Sequence, residues 1–322
     1  MHKCPECGSA SAVKHSHVED YFFGSGDCRS YYSCSSSTCG VAWPVPAPTL
    51  RELEIAYSAY YTHDRRGRSL GDWIRPTVAR ILYHATSFQS GEICRGPNFV
   101  TRLLDDAFCA SGGMRPIPHG VVVDVGCGNG ERLELFRKIG WNKVWGVEPD
   151  AKARATGGEA GRKILEGDAT SIPFPENSVD LVMLHHVIEH IAQPTAALSE
   201  CLRVLRTGTG VLSILTPNFA SASSESWGRY WRGLESPRHL RIFTVPALER
   251  ALKKTGFDIR LATTSARSAT WIDSESARAE ATARGDKRVN RADTGASYMQ
   301  QVRRIRDGHN IGDEIVAIAI KR

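Results

Sequence analysis

Residues 121–130 read Val-Val-Val-Asp-Val-Gly-Cys-Gly-Asn-Gly, and they join a short apolar strand directly to a glycine turn. Gly126, Gly128 and Gly130 alternate along that turn, so the backbone is free to take positive φ and to pass close to a ligand. Asp124 ends the strand beside them. A dinucleotide-binding turn requires Gly-x-Gly-x-x-Gly, and the third glycine position here is Glu131. A pyrophosphate next to Asp124 and Glu131 would meet repulsion. A cationic ligand without phosphate fits better.

Four further segments continue the pattern outward. Residues 145–150, Trp-Gly-Val-Glu-Pro-Asp, form a second short apolar strand ending in Glu148, 20 residues beyond Gly128. An ionised carboxylate at that point has acceptor sites and no donors, which suits a vicinal pair of ribose hydroxyls. Asp168 follows a turn glycine in residues 164–174. Residues 178–194 give a buried strand that runs into a turn rich in His and Glu, and residues 210–218 give a fifth strand ending at Pro217-Asn218. A last strand signal falls at 314–320.

This succession resembles the class I methyltransferases that use S-adenosylmethionine (SAM), whose first motif is an acidic strand end followed by Gly-x-Gly-x-Gly. The resemblance covers roughly residues 119–264 together with the strand near 314–320. It implies a Rossmann-like α/β sheet, mostly parallel with the last strand antiparallel. It also implies that Asp124, Gly126, Cys127 and Gly128 cradle the cofactor, that Glu148 holds its ribose, that Asp168 and the backbone of Ala169 hold its adenine, and that His185 touches it.

The chain's 322 residues have room for one large α/β domain and a small module. No apolar run is long enough to span a membrane, and the first residues lack the apolar core of a signal peptide, so the expectation is a soluble cytoplasmic protein. The net charge of +6, from 41 basic and 35 acidic residues, is a mild excess that favours an anionic small molecule without demanding nucleic acid.

Five of the nine cysteines fall in the first 39 residues. Cys4 and Cys7 make a tight knuckle, and Cys34 and Cys39 are placed to complete a four-sulfur zinc site, with Cys28, His15 and His17 open as substitutes because Cys34 and Cys39 are spaced more widely than is usual in zinc ribbons. Such a ribbon, residues 1–48, is too small for a core of its own, so a metal would supply much of its stability. A ribbon ahead of a SAM domain is also similar to a group of bacterial sugar and small-molecule methyltransferases, a likeness continued by Tyr60-Tyr61-Thr62-His63. Pro44, Pro46 and Pro48 suggest a stiff extended exit from the ribbon. A helical connector over residues 49–118 is expected to cover the site, with Leu50, Leu53, Tyr57 and Tyr60 on one stripe, Ile74 to Phe88 on another, and Asp72 as an N-cap. The SAM domain then takes residues 119–322. Within it, residues 273–310 read as a polar insertion, partly mobile or used in oligomerisation.

Methyl transfer needs an acceptor atom held in line with the sulfonium carbon, and a base where the acceptor keeps its proton. Three histidines qualify: His239, in the loop of residues 231–244 that resembles the substrate-side loop of sugar-modifying SAM enzymes, is the first choice, followed by His186 and His190. Glu189 and His190 resemble a pair found in quinone-type O-methyltransferases. They are also able to share a metal, although no further ligand spacing supports one. The leading function is thus methylation of an oxygen, with nitrogen or carbon as alternatives, on a sugar, sugar nucleotide or secondary metabolite. An RNA methyltransferase that holds RNA with its ribbon is the second reading.

Overall fold

A computed structural model describes residues 2–58, 116–117, 119–286 and 294–322. The second stripe of the connector, Ile74 to Phe88 with Asp72, and the Tyr60–His63 segment lie outside the described residues.

The valine run at 121 sits at the centre of a seven-stranded sheet. Its strands are β4 (Val121–Val125), β5 (Lys143–Glu148), β6 (Ile164–Glu166), β7 (Leu181–His185), β8 (Val211–Pro217), β9 (Phe257–Ser265) and β10 (Glu314–Lys321), in the order β6-β5-β4-β7-β8-β10-β9. β4, β5, β6, β7 and β8 run parallel, and β10 is antiparallel to both of its neighbours. β4 is apolar at four of five positions because helices cover both faces of the sheet. Successive valines point to opposite sides: Val123 and Val125 join a core with Leu184, Ile214 and Leu248, while Val122 joins Leu133, Phe136 and Trp141. The covering helices include α2 (Glu131–Ile139), α3 (Ala151–Glu159), α4 (Pro194–Val204), α5 (Ala222–Trp227) and α6 (Val245–Thr255). From β4 the chain works outward through β5 and β6, then returns to add β7 and β8 on the other flank. The crevice at the carboxyl ends of β4 and β7, where that order reverses, is where open α/β sheets bind ligands.

The amino-terminal residues form a separate antiparallel sheet of β1 (Ser11–Glu19), β2 (Cys28–Cys34) and β3 (Ala42–Val45). Pro44 lies within β3, an edge strand, where the missing N–H is tolerated, so the expected polyproline exit is overturned at that residue. The ribbon is also not a unit with a private core. Val18, Tyr31 and Ala42 pack with Phe219, Trp231, Leu234 and Ile242, and Trp43 with Cys4, Cys34 and Cys39 joins the core that holds Phe243 and Val245. Much of the burial the ribbon lacks is therefore supplied by the larger domain.

α1 (Leu50–Ser58) follows with Thr49 and Glu52 capping each other reciprocally at its start. Leu50 is 81 % exposed and leaves the expected stripe, whereas Ala56 of α1 is buried. The polar stretch after β9 is an insertion between the last two strands, but a helical one: α7 (Ala269–Ala283) and α8 (Thr294–Arg306) pack on each other, α7 also on α5 and α8 also on β9. Ser223, Asp273, Gln301 and Asp313 meet there in a buried polar cluster, where Ser223 Oγ lies 2.8 Å from Asp273 and 3.0 Å from Asp313. Among the described residues no helix is long and apolar enough to cross a membrane.

Candidate active site and cysteine centre

The glycine turn takes the strained path its composition permits. Gly126, Gly128 and Gly130 have φ of 67°, 56° and 76°, and a Cβ on Gly126 would lie 2.6 Å from Val187. The Glu148 carboxylate braces the turn from the end of β5, accepting from Gly128 N at 2.8 Å and from Asp150 N at 3.0 Å. Each oxygen keeps a second acceptor position. Burial pushes its pKa up, against the pull of those two N–H groups.

A cavity of about 1010 Å³ opens beside the turn, lined by residues 125–129, Glu148, Asp168, Ala169, His185, His186 and His190. Glu54 and Tyr57 of α1 complete one wall. Asp168 is exposed and accepts from Thr170 N and Oγ1, both at 2.7 Å, through one oxygen. Of the three acids expected to face the cofactor, Glu148 and Asp168 line the cavity and Asp124 does not. Asp124 is 1 % exposed, neither oxygen accepts a hydrogen bond, and burial raises its pKa despite Arg132 at 3.5 Å.

The histidines divide by environment. His185 is buried with Nε2 3.1 Å from Ser213 Oγ, and burial drives its pKa well down. His186 stands between Glu314, 3.0 Å from Nε2, and Glu189, 3.5 Å from Nδ1. Burial lowers its pKa, but the two carboxylates outweigh that and hold it at about 9. Both ring nitrogens thus face carboxylates, an arrangement that favours the protonated ring over a free base. His239 is 3 % exposed, its Nδ1 lies 2.7 Å from the carbonyl of Gly233, and burial lowers its pKa to about 4. It does not line the cavity, which corrects its place as first choice; it packs edge-on against His190, ring centroids 4.7 Å apart, and His190 is the one that reaches the wall.

Three further residues, Tyr57, Glu54 and Glu235, stand at or behind the cavity wall. Tyr57, on the expected stripe of α1, brings its hydroxyl to 3.0 Å from His190 Nδ1. Glu54 lies three residues before it on the same helix and also lines the cavity. Glu235, in the substrate-side loop, binds Arg232 and Arg238, and its pKa is held far below the carboxylate range because those arginines, His239 and His190 outweigh its burial. The loop is clamped to the ribbon as well: Arg238, fully buried, reaches Asp20 at 3.3 Å, donates to the carbonyl of Ala56 at 2.9 Å and lies 3.9 Å over the ring of Phe23.

The four cysteines predicted as ligands converge, with their sulfurs all within 4.8 Å of one another. Cys4 and Cys39 are 3.8 Å apart and Cys7 and Cys34 3.4 Å. Disulfide sulfurs sit about 2 Å apart, whereas thiolates around one zinc at about 2.3 Å sit close to the observed spacing. Arg250 donates to Cys39 at 3.0 Å and Ser36 N to Cys34 at 3.4 Å. Burial raises the Cys7 pKa, but hydrogen bonds from Ser9, Cys34 and Cys4 bring it to about 6. Cys28 and the two histidines kept as substitutes stand outside this group; Cys28 pairs with Glu19 at the far end of β2, and His15 packs on Phe219.

A family model described as a methyltransferase domain matches residues 94–262, more than half of the chain. A relative in Mycolicibacterium vanbaalenii described as an uncharacterized methyltransferase is 33 % identical over 144 residues, 42 % of this chain and 56 % of the relative. A probable S-adenosylmethionine-dependent methyltransferase of Mycolicibacterium smegmatis is 32 % identical over 145 residues, 43 % of this chain and 52 % of the relative. The matched stretch is thus about half the length of these relatives. Among solved structures, a SAM dependent methyltransferase from Archaeoglobus fulgidus aligns with a TM-score of 0.46 at 20 % identity, over 71 % of this chain and 97 % of that one.

Proposed function

Because this chain belongs to the methyltransferase domain family, we propose that it moves a methyl group from SAM to an oxygen of a small molecule, in the class of sugars, sugar nucleotides and secondary metabolites. The observation that carries this reading is the cavity at the switch point, which places the glycine turn, Glu148 and Asp168 on one side and the histidine cluster after β7 on the other. Bound there, SAM supplies an electrophilic methyl. Glu148 holds ribose hydroxyls through its remaining acceptor positions, Asp168 accepts from the adenine amine, and the glycine turn allows close approach of the rest.

The remaining work is to seat the acceptor in line and to keep water out, and α1 with Tyr57 forms the wall on that side. His190, supported by His239 behind it, is the histidine placed to meet an acceptor hydroxyl. The ribbon spends its sheet on the substrate-side loop, with Tyr31 Oη donating to Leu234 O at 3.0 Å, which favours a scaffold over an RNA-holding module. In the same reading the four thiolates hold a structural zinc.

Calorimetry with S-adenosylhomocysteine tests the cofactor. Binding is expected, and Glu148→Gln should weaken it by about 1–3 kcal/mol through lost ribose acceptors. A folded protein that binds none ends the proposal. A thermal-shift screen of sugar nucleotides with S-adenosylhomocysteine present then narrows the acceptor.

A further inference from the structure

We propose that Glu189, His190 and His239 form a second metal centre, which holds one divalent first-row transition-metal ion at the cavity wall. One donor atom from each of the three lies within 4.8 Å of the other two. Glu189 and His190 share a single turn of 3₁₀ helix after β7, and His239 reaches them from the substrate-side loop. That loop is registered on the turn by the Glu189 carbonyl, which accepts from Leu240 N at 2.7 Å and from Arg241 N at 3.0 Å.

Each side chain has its second polar atom already committed, leaving one free to ligate. Glu189 is fully buried; its Oε2 accepts from Thr216 Oγ1 at 2.9 Å, while Oε1 accepts no hydrogen bond. His239 Nδ1 lies 2.7 Å from the Gly233 carbonyl and His190 Nδ1 3.1 Å from the Arg238 carbonyl. A carbonyl only accepts, so the proton resides on Nδ1 in both rings and Nε2 carries the lone pair. Metal-binding histidines are held in this way, with the far nitrogen donating to a carbonyl and the carboxylate anchored by a second donor. Glu235, 3.7 Å from His239 Nε2, is engaged by Arg232 and Arg238, and the long contact of His186 Nδ1 with Glu189 Oε1, at 3.5 Å, is the one a bound ion would displace.

Two imidazoles and one carboxylate suit a first-row divalent ion and leave coordination positions open. Since His190 lines the cavity, an acceptor seated there would be within reach of such an ion. An ion so placed selects an acceptor with oxygens on adjacent carbons, a diol or a catechol, and lowers the pKa of the hydroxyl it meets. This choice of acceptor rests on the methyl-transfer reading above; the ion binding does not.

The full chain, with its cysteine centre filled by zinc, is titrated with Mn²⁺ and with Co²⁺, followed by calorimetry and electron paramagnetic resonance. About one ion per chain is expected, with affinity reduced tenfold or more in Glu189→Gln, His190→Asn and His239→Gln. Catechol should alter the bound Mn²⁺ spectrum and phenol should not. S-adenosylhomocysteine binding reports that each variant is folded, and its loss in the wild type would fail the cofactor reading while leaving the metal result intact. Binding of neither ion, or undiminished binding in the folded variants, overturns the site. An equal response to catechol and phenol overturns the adjacent-oxygen acceptor.

Discussion

Arg238→Met tests how the ribbon and the substrate-side loop are tied together. The guanidinium is fully buried among Asp20, Glu235, the Ala56 carbonyl and the Phe23 ring. Removing one partner of a buried ion cluster costs about 3–5 kcal/mol, because it strands the opposite charge. Two features pull the expectation to the lower end. Asp20 keeps backbone N–H donors from Phe22, Phe23 and Ser25, and Glu235 keeps Arg232. The expected loss is therefore about 3 kcal/mol, or roughly 6–12 °C in melting temperature at the usual scaling for larger domains. Urea unfolding of Arg238→Met, Asp20→Asn and the double variant measures it, and the double should lose about 1–3 kcal/mol less than the sum of the singles. A loss in Arg238→Met under about 1 kcal/mol, or strict additivity, would refute the clamp.

Burial raises the carboxyl pKa of Asp313 to about 6, against the hydrogen bonds it receives. The folded state then binds more protons than the unfolded state between about pH 4 and 6, so stability should fall by about 3 kcal/mol as pH rises through that window. Asp313→Asn should flatten the profile, and a melting curve of equal slope in both proteins would count against the shift. Metal analysis should find about one tightly held zinc per chain, lost in Cys34→Ser and kept in His239→Gln. A metal-free protein with an unchanged melting temperature would remove the zinc centre.

The parallel sheet was legible because β4, β5 and β8 are apolar runs punctuated by glycine, and a strand buried on both faces has no other reading next to such a turn. The four thiol ligands were legible from identity and crowding. The histidines were not, because their settings depend on groups far away in the chain: Glu314 lies 3.0 Å from His186 Nε2 from the other end of the domain, and the Gly233 carbonyl lies 2.7 Å from His239 Nδ1. Leu50 misled for the opposite reason, since a helical stripe says which residues share a face but not whether anything covers it. The sharing of one core by ribbon and larger domain had no local signal at all, because its contacts join residues about 200 positions apart, as Tyr31 does with Leu234.

The position of β10 between β8 and β9 bears on how the molecule is made. Both neighbours emerge from the ribosome before β10 does, and neither pairs with the other in the finished sheet. Until residues 314–321 arrive, β8 presents an unpaired border and β9 has no partner, which is the kind of exposed edge that recruits foreign strands. Synthesis thus passes through an interval in which the cofactor half is assembled and the sheet is still open. Trimming the chain ahead of Glu314 should yield a product that aggregates rather than a smaller working protein.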